Sequence, residues 1–375
     1  MKILMVISEA PPIKSGVARV ADRLCAGFKK RGHHVDVLSS DTVPRLDYGE
    51  VRLSSMPLRM SRLKHKFQHY DLIHLHGPVP TFSDVFLLWG LRGLGPHRPR
   101  LVYTHHAPID FRSLPLRPLT WTYNALQERF ARFADHVVTS TPSYNQRLAR
   151  YIPAGKLSVI PWGVDYPLFN APLEKDEPFT VVYLGQIRPY KGLPVLLRAA
   201  EGVPNMRLWV IGDGHSSKAA QKEAARLNLP DVTFWGPLPD QEMIRRLKQA
   251  HVIVLPSITH CEAFGIALLE GMAAGLVPVA SYIPGVADLV GNEGITFHPG
   301  DYRALRAILA RLRDDPPLRL HLASLAQAKA RLYSWERVVF GYERIFNNLV
   351  VNQAPKTVRT ITDIPTQPFL HGYTE

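Results

Sequence analysis

The sequence has few cysteines and no long apolar run. Its two cysteines, Cys25 and Cys261, are too few for a disulfide framework and are typical of a reducing compartment. No stretch approaches the roughly 18 apolar residues that a membrane-spanning helix needs. The apolar run at residues 2–8 is short and is followed at once by Glu9 and two prolines. It therefore indicates a first strand, not a signal peptide.

Motifs for several other functions are also missing. The sequence contains no G-x-G-x-x-G, so the fingerprint of NAD-binding folds is absent. It has no zinc-ligand spacing, no RNP-type strand and no helix-turn-helix signature. Nothing in the motifs therefore predicts nucleic-acid binding.

The length and the charge distribution indicate two different halves. A chain of 375 residues is long enough for two domains that each bury a core. The net charge of +13 lies mostly in residues 1–165, where 23 Lys and Arg stand against 12 Asp and Glu, a balance of +11, which leaves +2 for residues 166–375. A basic first half predicts an anionic partner, and nucleic acid, anionic lipid and a phosphorylated acceptor all qualify on charge alone.

Short apolar runs alternate with helical patterns along most of the chain, which predicts parallel, doubly wound sheets. A long helical pattern at 301–331 follows the last of these runs. The predicted strands are 2–8, 33–40, 50–56, 71–76, 101–105, 136–140 and 157–160 in the first half, and 179–184, 206–212, 232–235, 251–255, 277–281 and 294–298 in the second half.

Residues 257–270 form the stretch that says most about function. They follow the buried strand predicted at 251–255 and lead into a helical pattern that ends at Gly275, a C-cap residue. A strand, a tight polar loop and a helix N-terminus make the usual ligand-binding corner of an open α/β sheet.

Two carboxylates and two backbone amides fall within this corner. The free amides of Phe264 and Gly265 would hold an anion at the helix start. Glu262 lies on the loop and Glu270 roughly 8–9 Å into the helix, at a rise of about 1.5 Å per residue. Because carboxylates accept hydroxyl protons, sugar or ribose hydroxyls are expected at both ends.

A glycine loop with two cations follows the strand at 179–184. It reads Gly185-Gln-Ile-Arg188-Pro-Tyr-Lys191-Gly192 and leads into a helix. Arg188 and Lys191, three residues apart, would cradle a diphosphate leaving group, with each charge-assisted contact contributing roughly 1.5–3 kcal/mol.

Glu262-Ala-Phe-Gly-Ile-Ala-Leu-Leu-Glu270 resembles the E-x7-E element of the retaining, nucleotide-sugar-dependent glycosyltransferases of family 4. The resemblance extends from Met1 to about Val351. It implies the GT-B fold, an α/β fold in which two Rossmann-like, doubly wound domains face a central cleft.

The resemblance also implies the domain boundaries. Residues 1–165 would form the acceptor-side domain, and a returning C-terminal helix at about 335–351 would pack against it. Residues 166–334 would form the nucleotide-sugar donor domain. Residues 352–375 are rich in Thr and Pro without periodicity, which predicts a flexible tail.

Four residues are expected to act in catalysis. By the resemblance, Arg188 and Lys191 stabilise the leaving diphosphate and Glu262 positions the hydroxyls of the transferred sugar. His106, just past a strand end, matches the cleft histidine that contacts the sugar and the reaction centre.

Five residues are expected to bind the donor. Glu270 holds the ribose, Phe264 and Gly265 present amides to sugar and phosphate, and Leu238 lies in the segment that holds the base through backbone groups. Gly16 occupies the place of a family glycine pair, where a missing side chain lets amides approach a diphosphate. The preceding Ser15 is equally typical of a plain helix N-cap.

The resemblance further implies a hexosyltransferase that retains the anomeric configuration by front-face attack. Since the sequence has no D-x-D motif, we expect neither a metal nor another cofactor. The donor would be a UDP-, GDP- or ADP-sugar. A GT-B phosphorylase and a non-catalytic nucleotide-sugar-binding or membrane scaffold protein are the alternatives.

The acceptor is expected to be a saccharide or lipid-linked oligosaccharide of cell-surface polysaccharide assembly, with a soluble small molecule as the alternative. Residues 57–70 and 111–133 are basic and carry aromatic or apolar residues, which fits binding to an anionic membrane surface or an ordinary solvated helix. We therefore expect a cytoplasmic protein or one peripheral to the inner face of the cell membrane.

Overall fold

The computed structural model of the protein describes residues 1–9, 16–40, 43–48, 51–95, 98–109, 117–175, 177–229 and 231–351. The predicted tail at 352–375 lies outside the described residues. Two six-stranded sheets, parallel throughout, confirm the predicted α/β fold with two Rossmann-like, doubly wound units.

The first sheet has the strand order β2-β1-β5-β6-β7-β8. Its central strands are buried on both faces, as expected when helices cover both sides of a parallel sheet, whereas its two edge strands are partly exposed. The strands of the first half are β1 (Lys2–Ile7), β2 (His34–Ser39), β3 (Arg45–Tyr48), β4 (Val51–Ser54), β5 (Leu72–Gly77), β6 (Arg100–His105), β7 (His136–Thr139) and β8 (Leu157–Val159). The helices are α1 (Gly16–Lys30), α2 (Met56–Phe67), α3 (Ser83–Val85), α4 (Arg117–Phe130) and α5 (Pro142–Leu148).

The second sheet is also six-stranded and parallel but has the order β11-β10-β9-β12-β13-β14, so that its first strand in the chain lies third from the edge, where the first sheet has β5. Its strands are β9 (Thr180–Leu184), β10 (Arg207–Ile211), β11 (Val232–Gly236), β12 (Val252–Leu255), β13 (Val277–Ser281) and β14 (Ile295–Phe297). The remaining helices are α6 (Tyr166–Phe169), α7 (Leu193–Ala200), α8 (Ser217–Arg226), α9 (Asp240–Gln249), α10 (Ile266–Ala273), α11 (Pro284–Val290), α12 (Tyr302–Asp314), α13 (Pro316–Ala330) and α14 (Trp335–Val351).

Two predicted elements differ from the structure. The strand predicted at 50–56 is not part of the parallel sheet, because β4 pairs antiparallel with β3 as a separate hairpin. The segment predicted as helical at 301–331 is helical but is divided into two helices. Asp315 ends α12 and caps α13, where its carboxylate accepts the Leu318 amide at 2.9 Å and Pro316 occupies the first turn.

The last helix returns to the first sheet. Tyr342 and Phe346 of α14 pack against Phe28 of α1 at ring-centroid distances of 6.5 and 5.2 Å. The Tyr342 hydroxyl lies 3.0 Å from Thr104 Oγ1 of β6. This packing ties the end of the described chain to the first domain.

The carboxyl ends of the two sheets face each other. A Cβ added to Gly16, at the start of α1, would lie 3.6 Å from Ile266 at the start of α10. On another side of the cleft, the amide and the hydroxyl of Ser143 each donate to Asp288 of α11 at 2.8 Å. Open α/β sheets bind ligands at the carboxyl ends of their strands, so a binding site is expected in the crevice between the two sheets.

Within the described ranges, no helix is both long and apolar enough to cross a membrane.

Candidate functional site

The corner between β12 and α10 has the geometry of an anion site. Gly265 caps α10 with a left-handed φ of +86°, which favours glycine. In the described part of the chain, the amides of Phe264 and Gly265 donate to no protein acceptor. Free amides at a helix N-terminus attract negative charge.

Glu262 and Glu270 are both buried at this corner, with 8% and 6% of their surfaces exposed. Glu262 precedes α10, and Glu270 lies in its second turn. A buried carboxylate needs a cation or several hydrogen bonds to remain charged. Each of the two glutamates has a basic partner, and the two partners come from different parts of the chain.

Lys191 is the partner of Glu262. It ends a 3-10 turn at Pro189–Lys191, after β9, and its ammonium forms an ion pair with the Glu262 carboxylate. Burial alone would lower the pKa of Lys191, but the charge of Glu262, the nearby Tyr190 and the hydrogen bond to Glu262 together outweigh burial, and the pKa stands above its ordinary value. The lysine is therefore charged at neutral pH, as a leaving-group cation must be.

The Lys191 loop lies directly against the corner. Gly192 has a left-handed φ of +69°, and its Cα faces the carbonyl of Pro256, the residue after β12. The Ile258 amide also donates to the Tyr190 carbonyl at 2.8 Å. These contacts join the two predicted loops into one wall of the crevice.

Arg188 stands at the exposed end of the same loop. Within the described residues it pairs with no carboxylate, and its positive charge acts on Lys191 and opposes the rise of that pKa. Two cations that repel each other, one of them without a counter-ion, favour an added anion between them.

Arg19 of α1 is the partner of Glu270. Its Nη1 atom forms an ion pair with Glu270 Oε1 across the cleft. Burial raises the pKa of Glu270, the Arg19 charge opposes that rise, and the charge of Asp240 adds to it. Arg19 thus opposes the protonation that burial favours.

His106 faces the corner through an aromatic contact. Its ring lies 5.3 Å from the Trp162 ring, which in turn lies 5.3 Å from the Phe264 ring. Burial, with the nearby His76 and His105, holds the pKa of His106 well below its usual range, so the ring is neutral.

Leu238 lies at the other end of the cleft, in the loop between β11 and α9. It is partly buried against the apolar cluster that also contains Phe264. Asp240, two residues later, is close enough to Glu270 for its charge to act on that carboxyl group. This loop therefore borders the same end of the crevice as the predicted ribose-binding group.

The structure thus places all the predicted site residues along one crevice. Lys191 and Glu262 are in direct contact, Arg188 is their neighbour, and the others line the walls that meet them. The roles assigned to these residues stay predictions. Sequence reasoning missed Arg19 and did not place His76 or Trp162 in the site. A cation one turn after Gly16 was the available signal for Arg19.

No metal-ligand group was found in the described ranges, where no three His, Cys, Asp or Glu side chains converge.

Comparison with known proteins identifies the family. A model of Glycosyltransferase Family 4 matches residues 14–166, and one of glycosyl transferases group 1 matches residues 167–329. The two matches adjoin and together span most of the chain. The chain belongs to the family 4 glycosyltransferases.

Curated relatives of this glycosyltransferase include a rhamnosyltransferase and a mannosyltransferase. It is 28% identical over 349 residues to the D-rhamnosyltransferase WbpZ of Pseudomonas aeruginosa, covering 84% of this chain and 87% of the relative. It is 29% identical over 327 residues to the O-antigen chain mannosyltransferase C of Escherichia coli, covering 79% and 84%.

A solved structure supports the fold. HepE of Anabaena, in complex with UDP-glucose, superposes with a TM-score of 0.70 at 19% identity, over 93% of this glycosyltransferase and 100% of HepE. At this identity the likeness shows the GT-B fold alone.

Proposed function

We propose that this glycosyltransferase transfers a hexose from a nucleotide-diphosphate sugar to a hydroxyl group of a growing cell-surface polysaccharide or lipid-linked oligosaccharide, with retention and without a metal. The observation that carries the proposal is the Lys191–Glu262 pair beside the free amides that precede α10. That arrangement sets fixed positive charge next to a carboxylate that can accept sugar hydroxyls.

The proposed reaction breaks the bond from the anomeric carbon to the diphosphate and forms a bond to the acceptor oxygen on the same face. The acceptor's proton passes to the departing phosphate oxygen. Lys191 and Arg188 stabilise the negative charge that builds on the diphosphate, and no metal is needed for that charge. The pairing of Glu262 with Lys191 supports a positioning role for this carboxylate toward sugar hydroxyls.

The Escherichia coli relative, an O-antigen chain mannosyltransferase, supports a polysaccharide acceptor, and the ligand of HepE supports a sugar nucleotide as donor. UDP-, GDP- and ADP-sugars are the candidates. His106 would contact the transferred sugar, Glu270 the ribose, and the loop at Leu238 the base.

A membrane-associated acceptor would suit the first domain. Leu58 of α2 and Trp121 of α4 are 84% and 77% exposed, and Arg59 and Arg62 on α2 are exposed as well. Apolar and basic side chains together fit an anionic headgroup surface. We place the protein in the cytoplasm or at the inner face of the membrane. Residues 111–116 of the second basic segment lie outside the described residues.

The test combines a ligand screen with a transfer assay. Thermal shift with UDP-, GDP- and ADP-sugars identifies the donor, since a ligand at 100 times its Kd stabilises by about 2.7 kcal/mol. Transfer is then measured with EDTA present, and the anomeric configuration of the product is read by NMR. An inverted product or EDTA-sensitive activity would refute retention or metal independence.

Lys191→Ala tests the leaving-group role. We expect kcat to fall about 10²- to 10³-fold with a much smaller change in donor affinity, because the charge acts mainly as the bond breaks. Lys222→Ala, which removes an exposed lysine of α8, is the control. Equal losses in kcat and donor binding would contradict the role.

Two rivals have distinct signatures. A phosphorylase would turn over with inorganic phosphate and no nucleotide. A scaffold protein would bind a nucleotide diphosphate yet release none when offered donors and acceptors.

A further inference from the structure

Arg19 lies in the cleft, but it was not among the donor-site residues predicted from the sequence. It is the fourth residue of α1, and its Nη1 atom is paired with Glu270 of the opposite domain. Its side chain is 44% exposed, whereas that of Glu270 is only 8% exposed. The guanidinium therefore stands at the open side of the pair, between the buried carboxylate and the crevice.

Glu270 depends on this guanidinium. Burial raises the pKa of the carboxyl group, and the charges of Asp240 and Asp165 raise it further. Arg19 supplies the opposing charge and a hydrogen bond. A carboxylate that is to accept ribose hydroxyls must be ionised, so the positive charge has to stay close when the nucleotide binds.

The pair leaves most of the guanidinium unused. Arginine has five N–H donors in a planar fork, and a single nitrogen of Arg19 bonds to Glu270. In the described part of the chain, the other nitrogens reach no acceptor. They lie one turn beyond Gly16, where the start of α1 meets the start of α10.

A ribose held by Glu270 carries its 5′-phosphate one sugar ring away. That distance is within the reach of a guanidinium that already touches the carboxylate. Phosphate oxygens match the fork geometry of arginine and make strong, charge-assisted hydrogen bonds.

We propose that Arg19 is a donor-binding residue of the first domain, which holds Glu270 with one nitrogen and donates the others to the donor's diphosphate. This inference rests on the proposed function, because it takes Glu270 as the ribose-binding group. It adds a third cation to the cradle of Arg188 and Lys191, on the opposite wall. Nucleotide binding would then join the two domains through one side chain.

The test separates the phosphates from the nucleoside. Binding of UDP, GDP and ADP to the wild-type protein is measured by calorimetry, and the tightest of the three is compared with its nucleoside. Arg19→Gln is expected to weaken nucleoside-diphosphate binding by about 10- to 100-fold, the range of one charge-assisted hydrogen bond. Its effect on nucleoside binding is expected to be clearly smaller, because there the loss of the Arg19 charge acts only through Glu270. Arg19→Lys keeps the charge without the fork, so its affinity for the nucleoside diphosphate should lie between those of the wild type and Arg19→Gln.

Arg23→Gln is a matched control. Arg23 lies one turn further along α1, is 45% exposed and pairs with Asp165 at 2.5 Å, so it matches Arg19 in exposure and in having a carboxylate partner but does not contact Glu270. Both affinities should remain near the wild-type values. Thermal unfolding of each variant checks that the fold is kept, and Arg19→Lys serves if Arg19→Gln fails to fold.

Two results would overturn the assignment of Arg19. Equal losses for diphosphate and nucleoside would mean that Arg19 acts only through Glu270, and unchanged diphosphate binding would mean that it makes no phosphate contact. In either case, wild-type binding of a nucleoside diphosphate would leave the proposed function standing. A wild-type protein that binds none of the three would refute the proposed function itself.

Discussion

His76 Nδ1 lies 3.1 Å from His106 Nε2, so two buried imidazoles at the ends of neighbouring strands share a hydrogen bond. Burial and the adjacent histidines hold the pKa of each ring well below its usual range, so both rings are neutral. One ring must then donate and the other accept. The tautomer of His106, the ring nearer the predicted reaction centre, therefore depends on His76.

We predict that His76→Phe lowers kcat about five- to tenfold, the effect of losing one hydrogen bond that orients a reacting group. The KM for the donor should change little, because His76 itself lies behind His106. The nitrogen chemical shifts of His106 should show a changed tautomer ratio.

The control for this variant is His136→Phe. His136 bonds Ser158 at 2.9 Å at the start of β7, far from the strand ends that line the cleft. It should leave kcat unaltered once the variant is shown to be folded. A His76 variant with wild-type kcat, or with kcat and KM affected alike, would argue against a positioning role.

Glu262→Gln should shift the alkaline limb of the pH profile. In the wild-type protein the Glu262 charge holds the pKa of Lys191 above its ordinary value, against the effect of burial. Without that charge, burial prevails and the pKa of Lys191 falls. A cation with a lowered pKa loses its proton as pH rises, so activity should disappear at a lower pH in the variant.

The measurement is kcat/KM against pH for wild type and Glu262→Gln. Glu293→Gln is the matched control, since Glu293 forms a 2.8 Å pair with Lys329 outside the crevice. An alkaline limb that stays in place in Glu262→Gln would show that Lys191 does not govern activity through its charge.

The sequence predicted which residues belong to this site better than it predicted which of them contact one another. The corner around Phe264 and the loop around Lys191 could be found because glycines, cations and carboxylates follow short apolar strands. Their direct pairing could not, because Lys191 and Glu262 are 71 residues apart and their contact depends on how β9 and β12 pair within the sheet. Periodicity does not specify which strands become neighbours.

Other differences have the same origin. An arginine on the polar side of an amphipathic helix is usually solvated, so Arg19 gave no signal of its contact with the opposite domain. The apolar alternation at 50–56 predicted extended chain, which the structure shows at Val51–Ser54. It could not tell a strand of the main sheet from the outer arm of the β3–β4 hairpin.

Glu270→Gln should make the protein at least as stable as wild type at neutral pH. Burial raises the pKa of Glu270 above its ordinary value despite Arg19, so the folded protein favours the protonated carboxyl more than the unfolded chain does. The cost of the buried charge is therefore present above the raised pKa and disappears as pH falls below the ordinary value. A neutral glutamine avoids this cost.

Thermal unfolding at several pH values tests the expected direction of this stability difference. The Tm of Glu270→Gln should equal or exceed that of wild type near neutrality, and the advantage should shrink as pH falls, while nucleotide binding is weakened at every pH. Glu336→Gln, at an exposed position on α14, is the control. A variant that is clearly less stable than wild type at neutral pH would contradict the prediction.

Gly192→Ala should disturb the diphosphate cradle without touching a charged group. Gly192 has a left-handed φ of +69°, and a Cβ there would collide with the Pro256 carbonyl, a backbone atom that cannot turn aside. The loop must move, so we expect a loss of about 1–3 kcal/mol in the free energy of unfolding. Because Lys191 precedes this glycine, kcat should fall as well.

Gly155→Ala, where a Cβ meets nothing within 4 Å, should be neutral in both measurements. Wild-type stability and activity in Gly192→Ala would mean that the Lys191 loop does not need its close approach to the end of β12.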